Sequence, residues 1–188
     1  MNKCKVLLNL PRVIPHLLCY VLSSDKRDTI NQDLLARPPY RGKNNKRHFL
    51  TWPLCCTLID AAEFRNVFYM RMGLTGHILN VFLPKIKSMR LSPHIAAGFC
   101  PIHSYSTIIN GGATIGRNCT VYHCVTIGVE RNGVPVIGDN VTIGAGAIIL
   151  GGIHVGNNVN IGAGAIVVED VPDGFTVVGP KARIIPHS

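Results

Sequence analysis

Three features of the chain predict a mainly β fold, a parallel β-helix behind a small α-helical N-terminal subdomain. First, an aliphatic residue recurs every six residues, at Ile109, Ile115, Val121 and Ile127 and again at Ile137, Ile143, Ile149, Val155, Ile161 and Val167. A fixed aliphatic position at that period is the signature of coils built from hexapeptides. Second, the fourth position of each repeat is Gly112, Asn118, Asn140, Gly146, Gly152, Asn158, Gly164 or Asp170, with Cys124 the exception. Apart from Cys124, these residues tolerate the left-handed backbone of a tight corner. Third, the fifth position is apolar and mostly small, from Ala113 and Cys119 to Ala165 and Val171. β-Branched first positions suit short buried strands, and three repeats make one triangular coil of about 18 residues. The glycines and the six-residue period exclude an α-helix here.

The 188 residues leave room for one core domain and a smaller appendage. With 47% hydrophobic and 15% charged residues the chain reads as folded and well packed rather than disordered. Its net charge of +9 is uneven: residues 1–90 carry +10 and residues 91–188 carry −1. Nucleic acid, an anionic membrane or phosphorylated ligands are partners for such a basic segment, and solvated helix faces are the plainer alternative. No aromatic-interleaved basic cluster or zinc-finger spacing is present, so nucleic acid is not expected and membrane association stays open. Seven cysteines show no framework or Cys-x-x-Cys spacing, which predicts reduced thiols, a cytoplasmic setting and no metal. The apolar run from Val13 to Leu22 is broken by Pro15 and His16 and is too short to span a membrane, and the first residues do not read as a signal peptide.

In chain order, residues 4–22 read as a helix interrupted by Pro11 and Pro15, and Ser24 to Leu35 as a second, capped by Ser24 or Asp25. Residues 37–48 form a basic loop, and Leu54 to Leu83 a third helical segment divided near Gly73 and Gly76. These make a helical subdomain over residues 1–90. The β-helix domain then occupies residues 91–188, with a lead-in of poor register before Ile109. Ten residues separate Ile127 from Ile137, so four extra residues bulge out there.

This pattern resembles the hexapeptide-repeat acyltransferases and, within them, the serine acetyltransferases. The resemblance runs from about Phe64 to Ile185 and is strongest at Val136-Ile-Gly-Asp-Asn-Val-Thr-Ile-Gly-Ala-Gly-Ala, Ile161-Gly-Ala-Gly-Ala and Val178-Gly-Pro-Lys-Ala-Arg. It implies a left-handed coil, a homotrimer and acetyl-coenzyme A as co-substrate in the groove between neighbouring coils. The periodicity says nothing about the hand, and most parallel crossovers are right-handed.

Moving acetyl from a thioester to a hydroxyl needs a base for the hydroxyl proton and donors for the oxyanion, and histidine suits the first role. His103 matches the position of the family's catalytic base. Counting back in sixes from Ile109 puts it at an inward slot, so either the register slips there or the residue is structural. His123 follows by 20 residues, one coil plus two, with a backbone separation of roughly 8 Å; a solvent-facing His is the alternative. His154 reads as a surface residue. The resemblance carries Gly128, Ala145 and Ala163 over as the lining of the pantetheine groove, although Gly and Ala also recur for corner geometry. Lys181 and Arg183 are candidates for the coenzyme phosphates, or simply solvated charges.

Two departures stand out. Ile102 replaces the acid that family places before its base, and Gly133-Val134-Pro135 replaces its Arg-His-Pro stretch. Asp60 or Glu63 is a candidate substitute acid. The expected function is acetyl-coenzyme A-dependent O-acetyl transfer to a small hydroxyl acceptor, L-serine first. A sugar or polysaccharide precursor is the alternative acceptor. A non-catalytic trimeric scaffold or a β-helix metalloenzyme is a third reading, although no His-x4-His pair is present.

Overall fold

Stacked hexapeptides build the C-terminal half. The computed structural model describes residues 3–38, 40–41, 51–130 and 132–180. Twelve short strands among them are β1 (Cys100–Pro101), β2 (Ile108–Ile109), β3 (Thr114–Ile115), β4 (Thr120–Val121), β5 (Thr126–Gly128), β6 (Val136–Ile137), β7 (Thr142–Ile143), β8 (Ile148–Leu150), β9 (His154–Val155), β10 (Asn160–Ile161), β11 (Ile166–Val167) and β12 (Thr176–Val177). Every third strand stacks in parallel on the one a turn below. The first sheet runs β1-β4-β7-β10-β12, the second β2-β5-β8-β11 and the third β3-β6-β9. The three sheets form a parallel β-helix of about four turns. Ile115, Val121, Ile127, Ile137, Ile143 and Ile149 fill its core with the small fifth-position residues.

The corners are not all alike. Six of the nine fourth-position residues have positive φ: Asn118, Cys124, Asn140, Gly146, Asn158 and Gly164. Asp170 does not, as it falls in a shortened turn because Val171 pairs with Val155, and neither do Gly112 and Gly152, at the corner from the second to the third sheet. There the amide of Ala113 reaches the Asn110 carbonyl (3.0 Å), and that of Ile153 reaches Gly151 (2.9 Å). The four extra residues lie at this same corner. Glu130 and Gly133 exchange backbone hydrogen bonds at its tip (3.0 and 2.9 Å). Asn132 Oδ1 accepts from the Gly152 amide (3.0 Å), and a Cβ on Gly152 would lie 2.2 Å from the Asn132 carbonyl oxygen. Only glycine lets the loop seat there.

Among the described residues five helices precede the coil: α1 (Lys3–Leu22), α2 (Ser24–Leu35), α3 (Thr51–Asp60), α4 (Ala62–Met72) and α5 (Leu74–Leu79). Contrary to the expected interruption, α1 is continuous through Pro11 and Pro15. The carbonyls left without amide partners belong to Leu7 and Pro11, both exposed residues that water can reach. Nor does Ser24 or Asp25 cap α2: Ser23 stands at the cap position and makes no side-chain bond.

A buried charged network ties the helices to the coil. Asp33 of α2, 1% exposed, accepts from Arg71 Nε (2.9 Å) and Nη2 (3.2 Å) and from the Phe99 amide (2.9 Å). Arg71 also donates to the carbonyls of Ile95 and Ala96. Asn66 of α4 exchanges bonds with Ile86 (2.9 and 2.8 Å), which holds the connecting segment against the helix. Removing one member of a buried, bonded ion pair leaves the other charge stranded. Arg71→Ala is therefore expected to cost about 3–5 kcal/mol, read by denaturant-induced unfolding.

His16 of α1 is fully buried, with Nε2 2.8 Å from the Tyr69 hydroxyl, which itself donates to the Leu83 carbonyl (2.6 Å). The hydroxyl proton is thus committed, so Nε2–H is the donor to Tyr69, and Nδ1 has no bonding partner. Burial is the main cause that pushes the His16 pKa down to about 4 from 6.5. Between those values the unfolded chain binds a proton that the folded chain refuses, so stability falls as pH falls through that window. The expected loss between pH 7.5 and pH 4 is about 3 kcal/mol, and His16→Gln is expected to flatten that part of the stability-against-pH curve.

Candidate active site

The two histidines leave the first sheet at neighbouring rungs. Cys100 and Pro101 pair with Thr120 and Val121, a spacing of 20 residues, whereas Ile108 and Ile109 pair with Thr126 and Ile127 at 18. Two extra residues therefore sit in the corner between Pro101 and Ile108. That slip resolves the odd register: Pro101, not His103, aligns with the inward column, and His103 is exposed. His103 and His123 each stand two residues beyond a paired position. The lateral offset expected from their spacing is absent where they leave the strands. His103 itself adopts a left-handed backbone, φ 48°, and its carbonyl accepts from the Tyr105 amide (2.7 Å).

Two buried hydroxyls hold this wider corner. Ser104 Oγ donates to the Val121 carbonyl (2.9 Å) and Thr107 Oγ1 to the Tyr122 carbonyl (3.0 Å). These carbonyls flank Tyr122, the residue before His123, so the two corners are bonded together. Sequence reading missed both residues. The signal was the hydroxyl-rich run Ser104-Tyr-Ser-Thr107 where an apolar fifth position should stand.

The register that aligns Val121 with Ile143 and Ile161 places Ala145 and Ala163 on the same corner, one and two turns above His123. His123 and Ala145 carbonyls accept from the Gly146 and Gly164 amides in the turns above (both 2.9 Å), which continues the stack. A Cβ on Gly144 would lie 2.6 Å from the Ala163 nitrogen, so the turns pack backbone to backbone. The preceding corner differs: Asn118, Asn140 and Asn158 form a side-chain ladder with bonds of 3.3 and 3.2 Å. Thus one edge of the coil carries polar side chains, while the edge above the histidines is a strip of glycine and alanine. Gly128 lies elsewhere, at the far end of β5 opposite Leu150. Lys181, Arg183 and the loop's Arg131 lie outside the described residues. His154 is exposed on β9, on the third sheet. His103 and His123 thus share one corner, and the inserted loop occupies another.

The acid candidates also separate. Glu63 is engaged: its carboxylate accepts from Arg37 Nη2 (2.9 Å), while Arg37 Nη1 donates to the Pro101 carbonyl (2.7 Å), two residues before His103. The Arg37 guanidinium also lies 5.7 Å from the centre of the Phe64 ring. Asp60 is exposed at the end of α3. Among the described residues no carboxylate bonds the His103 ring. Two clefts, of about 400 and 390 Å³, lie elsewhere, one lined by Tyr69, Lys85 and Arg90, the other by Gln32, Arg41 and Asn140. The histidine corner has both imidazoles exposed. Its register, exposure and chemistry mark it as the candidate site in preference to either cleft.

Hexapeptide coils with this small-residue edge define a hexapeptide-repeat acyltransferase, and residues 135–168 match the bacterial transferase hexapeptide family (six repeats). A serine acetyltransferase of Helicobacter pylori (strain 26695) is 35% identical over 136 residues, covering 70% of this chain and 78% of its own. The chain belongs to the serine acetyltransferase family. The enzyme of that name from Buchnera aphidicola (Schizaphis graminum) is 34% identical over 150 residues, 74% of this chain, and the match spans only 58% of its length. An Escherichia coli K12 acetyltransferase assigned by name to colanic acid biosynthesis is 46% identical over 85 residues, 44% of this chain and 52% of its own. Among solved structures, the Neisseria gonorrhoeae serine acetyltransferase in complex with serine superposes with a TM-score of 0.68 at 26% identity. That match covers 90% of this chain and 73% of the other.

Arg37 holds the backbone just before His103 through a carbonyl bond and an ion pair, which a lysine cannot make together in a fixed fork. Arg37→Ala and Arg37→Lys are both expected to lower kcat about 10- to 100-fold, as a displaced reacting group does. Steady-state rates, with circular dichroism to verify folding, provide the check.

Proposed function

We propose that this chain is an acetyl-coenzyme A-dependent O-acetyltransferase whose acceptor is L-serine. The observation that carries the reading is the exposed His103, at the family's base position, at the foot of the alanine edge. An exposed imidazole can reach a hydroxyl from outside the coil, which an inward one could not. His103 takes the hydroxyl proton as that oxygen attacks the acetyl carbonyl, and returns it to the departing sulfur. Transfer is direct, with no covalent link to the protein. His123, one rung above, is the second polar group on the reacting atoms. The donor's narrow arm lies along Ala145 and Ala163, where small side chains permit close approach to the main chain. Gly128 serves the neighbouring subunit's groove wall, and Lys181 and Arg183 the phosphates.

Two observations support the homotrimer. His103 and His123 both stand exposed on the coil surface, where a second chain would cover them. The outer side of the second sheet is largely apolar, with Ile108 47% and Ile166 65% exposed and Val168, just beyond β11, 52%. A ring-closing assembly would cover such a face on every subunit. The same reading keeps residues 1–90 and 91–188 as separate structural units and the protein in a reducing, cytoplasmic setting.

A second reading, a saccharide acceptor, is favoured by the 46% identity to the enzyme assigned to colanic acid biosynthesis. Ile102 and Gly133-Val134-Pro135 support it too, since a changed pocket suits a different acceptor. Free thiol release from acetyl-coenzyme A, measured across L-serine and a panel of sugars, separates the two. Serine-dependent turnover is expected. Turnover with sugars alone would transfer the proposal to the second reading, and none with any hydroxyl would overturn both. His103→Ala is expected to lower the rate about 10²- to 10⁴-fold. Ala163→Leu is expected to raise the donor KM with little change in acceptor KM.

A further inference from the structure

Helix α1 is apolar on both sides. Its inner side, Val6, Val13, His16 and Tyr20, is fully buried in the N-terminal core. Its outer side presents Leu7, Leu8, Ile14, Leu18, Val21 and Leu22, exposed by between 41 and 81%. At about 100° per residue these six fall in one continuous arc. A large exposed apolar patch marks an interaction surface.

The patch extends beyond α1. Arg12 Nε donates to the Phe82 carbonyl (2.9 Å), which brings Val81 (80% exposed) and Phe82 (40%) beside the turn holding Leu8 and Arg12. Just before them, Leu74 and Ile78 of α5 are 87% and 66% exposed.

Charge selects the occupant. The half of the chain that carries this face has a net charge of +10, and the other half −1. Pairing two copies through α1 would bring two strongly basic halves together, whereas an anionic surface would attract each of them. No single helix among the described residues is long and apolar enough to cross a membrane. The inner side of α1 is moreover committed to the core, so the helix would lie along a surface. We propose that the outer face of α1, with residues 74–82, is an attachment face for an anionic lipid bilayer. This assignment does not depend on the acceptor or on the histidine site.

Sedimentation of the full chain with phosphatidylglycerol–phosphatidylcholine vesicles tests it. The chain is expected to pellet with these vesicles at low salt. It should bind phosphatidylcholine alone, or the mixed vesicles at about 0.5 M salt, about tenfold more weakly. The variant Leu8→Gln/Leu18→Gln/Leu22→Gln alters only exposed positions and should keep the far-ultraviolet circular dichroism and the vesicle-free acetyltransferase rate. Its vesicle affinity should fall about tenfold or more. No pelleting with anionic vesicles, or equal pelleting of wild type and variant, would overturn the proposal. So would a variant whose vesicle-free mass falls to a smaller assembly, since a second copy would then be what covers the face.

Discussion

Stacking is the constraint on which the structure depends. Each strand of the coil must pair with the strand one turn below, so any departure from 18 residues per turn has to be absorbed at a corner. Three departures occur. The turn from Cys100 to Thr120 takes 20 residues, that from Thr120 to Thr142 takes 22, and that from Asn160 to Thr176 takes 16. The strands keep register through all of them. The first surplus widens the corner of His103, the second makes the loop at Glu130, and the deficit closes the top. Chemistry-bearing residues can therefore be added to the coil only where the chain turns. The hydroxyls of Ser104 and Thr107 then keep the widened corner from being loose, because each is bonded to the turn above.

The same logic separates the three edges. One is stitched by the asparagine ladder, with Asp139, Asn157 and Asp173 accepting from backbone amides alongside it. Another is filled by the folded-back loop at Gly152. The third, above the histidines, is left low by alanine and glycine. An extended ligand laid along the coil meets the least side-chain bulk on that edge. The Arg37–Glu63 pair then fixes the foot of this edge from the helical side, so the two halves of the chain meet closest to the site through Pro101.

Much of this was legible in the residues. Period and slot chemistry yielded the coil, its inward residues and the position of the insertion, because burial repeats with the period. The fourth-position rule held only at two of the three corners: Gly112 and Gly152 turn without positive φ, and the last turn is two residues short, so Asp170 is not at a fourth position. His103 was found through resemblance, while its exposure depended on a register slip that hexapeptide counting cannot resolve until the strand partners are known. Arg37 stayed hidden for a different reason. Its partners Glu63 and Pro101 are 26 and 64 residues away, and no local pattern announces a bond of that span. Likewise, Pro11 and Pro15 suggested a broken helix because propensity weighs the lost bonds and not the exposed side on which they fall.

The central claim is that the ligand edge runs above His103 and His123 and not through either of the two clefts. Co-crystallisation with coenzyme A tests it directly. The account predicts electron density for the extended arm beside Ala145 and Ala163, with its sulfur end toward the two histidines. Density confined to the cleft of Tyr69, Lys85 and Arg90 would contradict it.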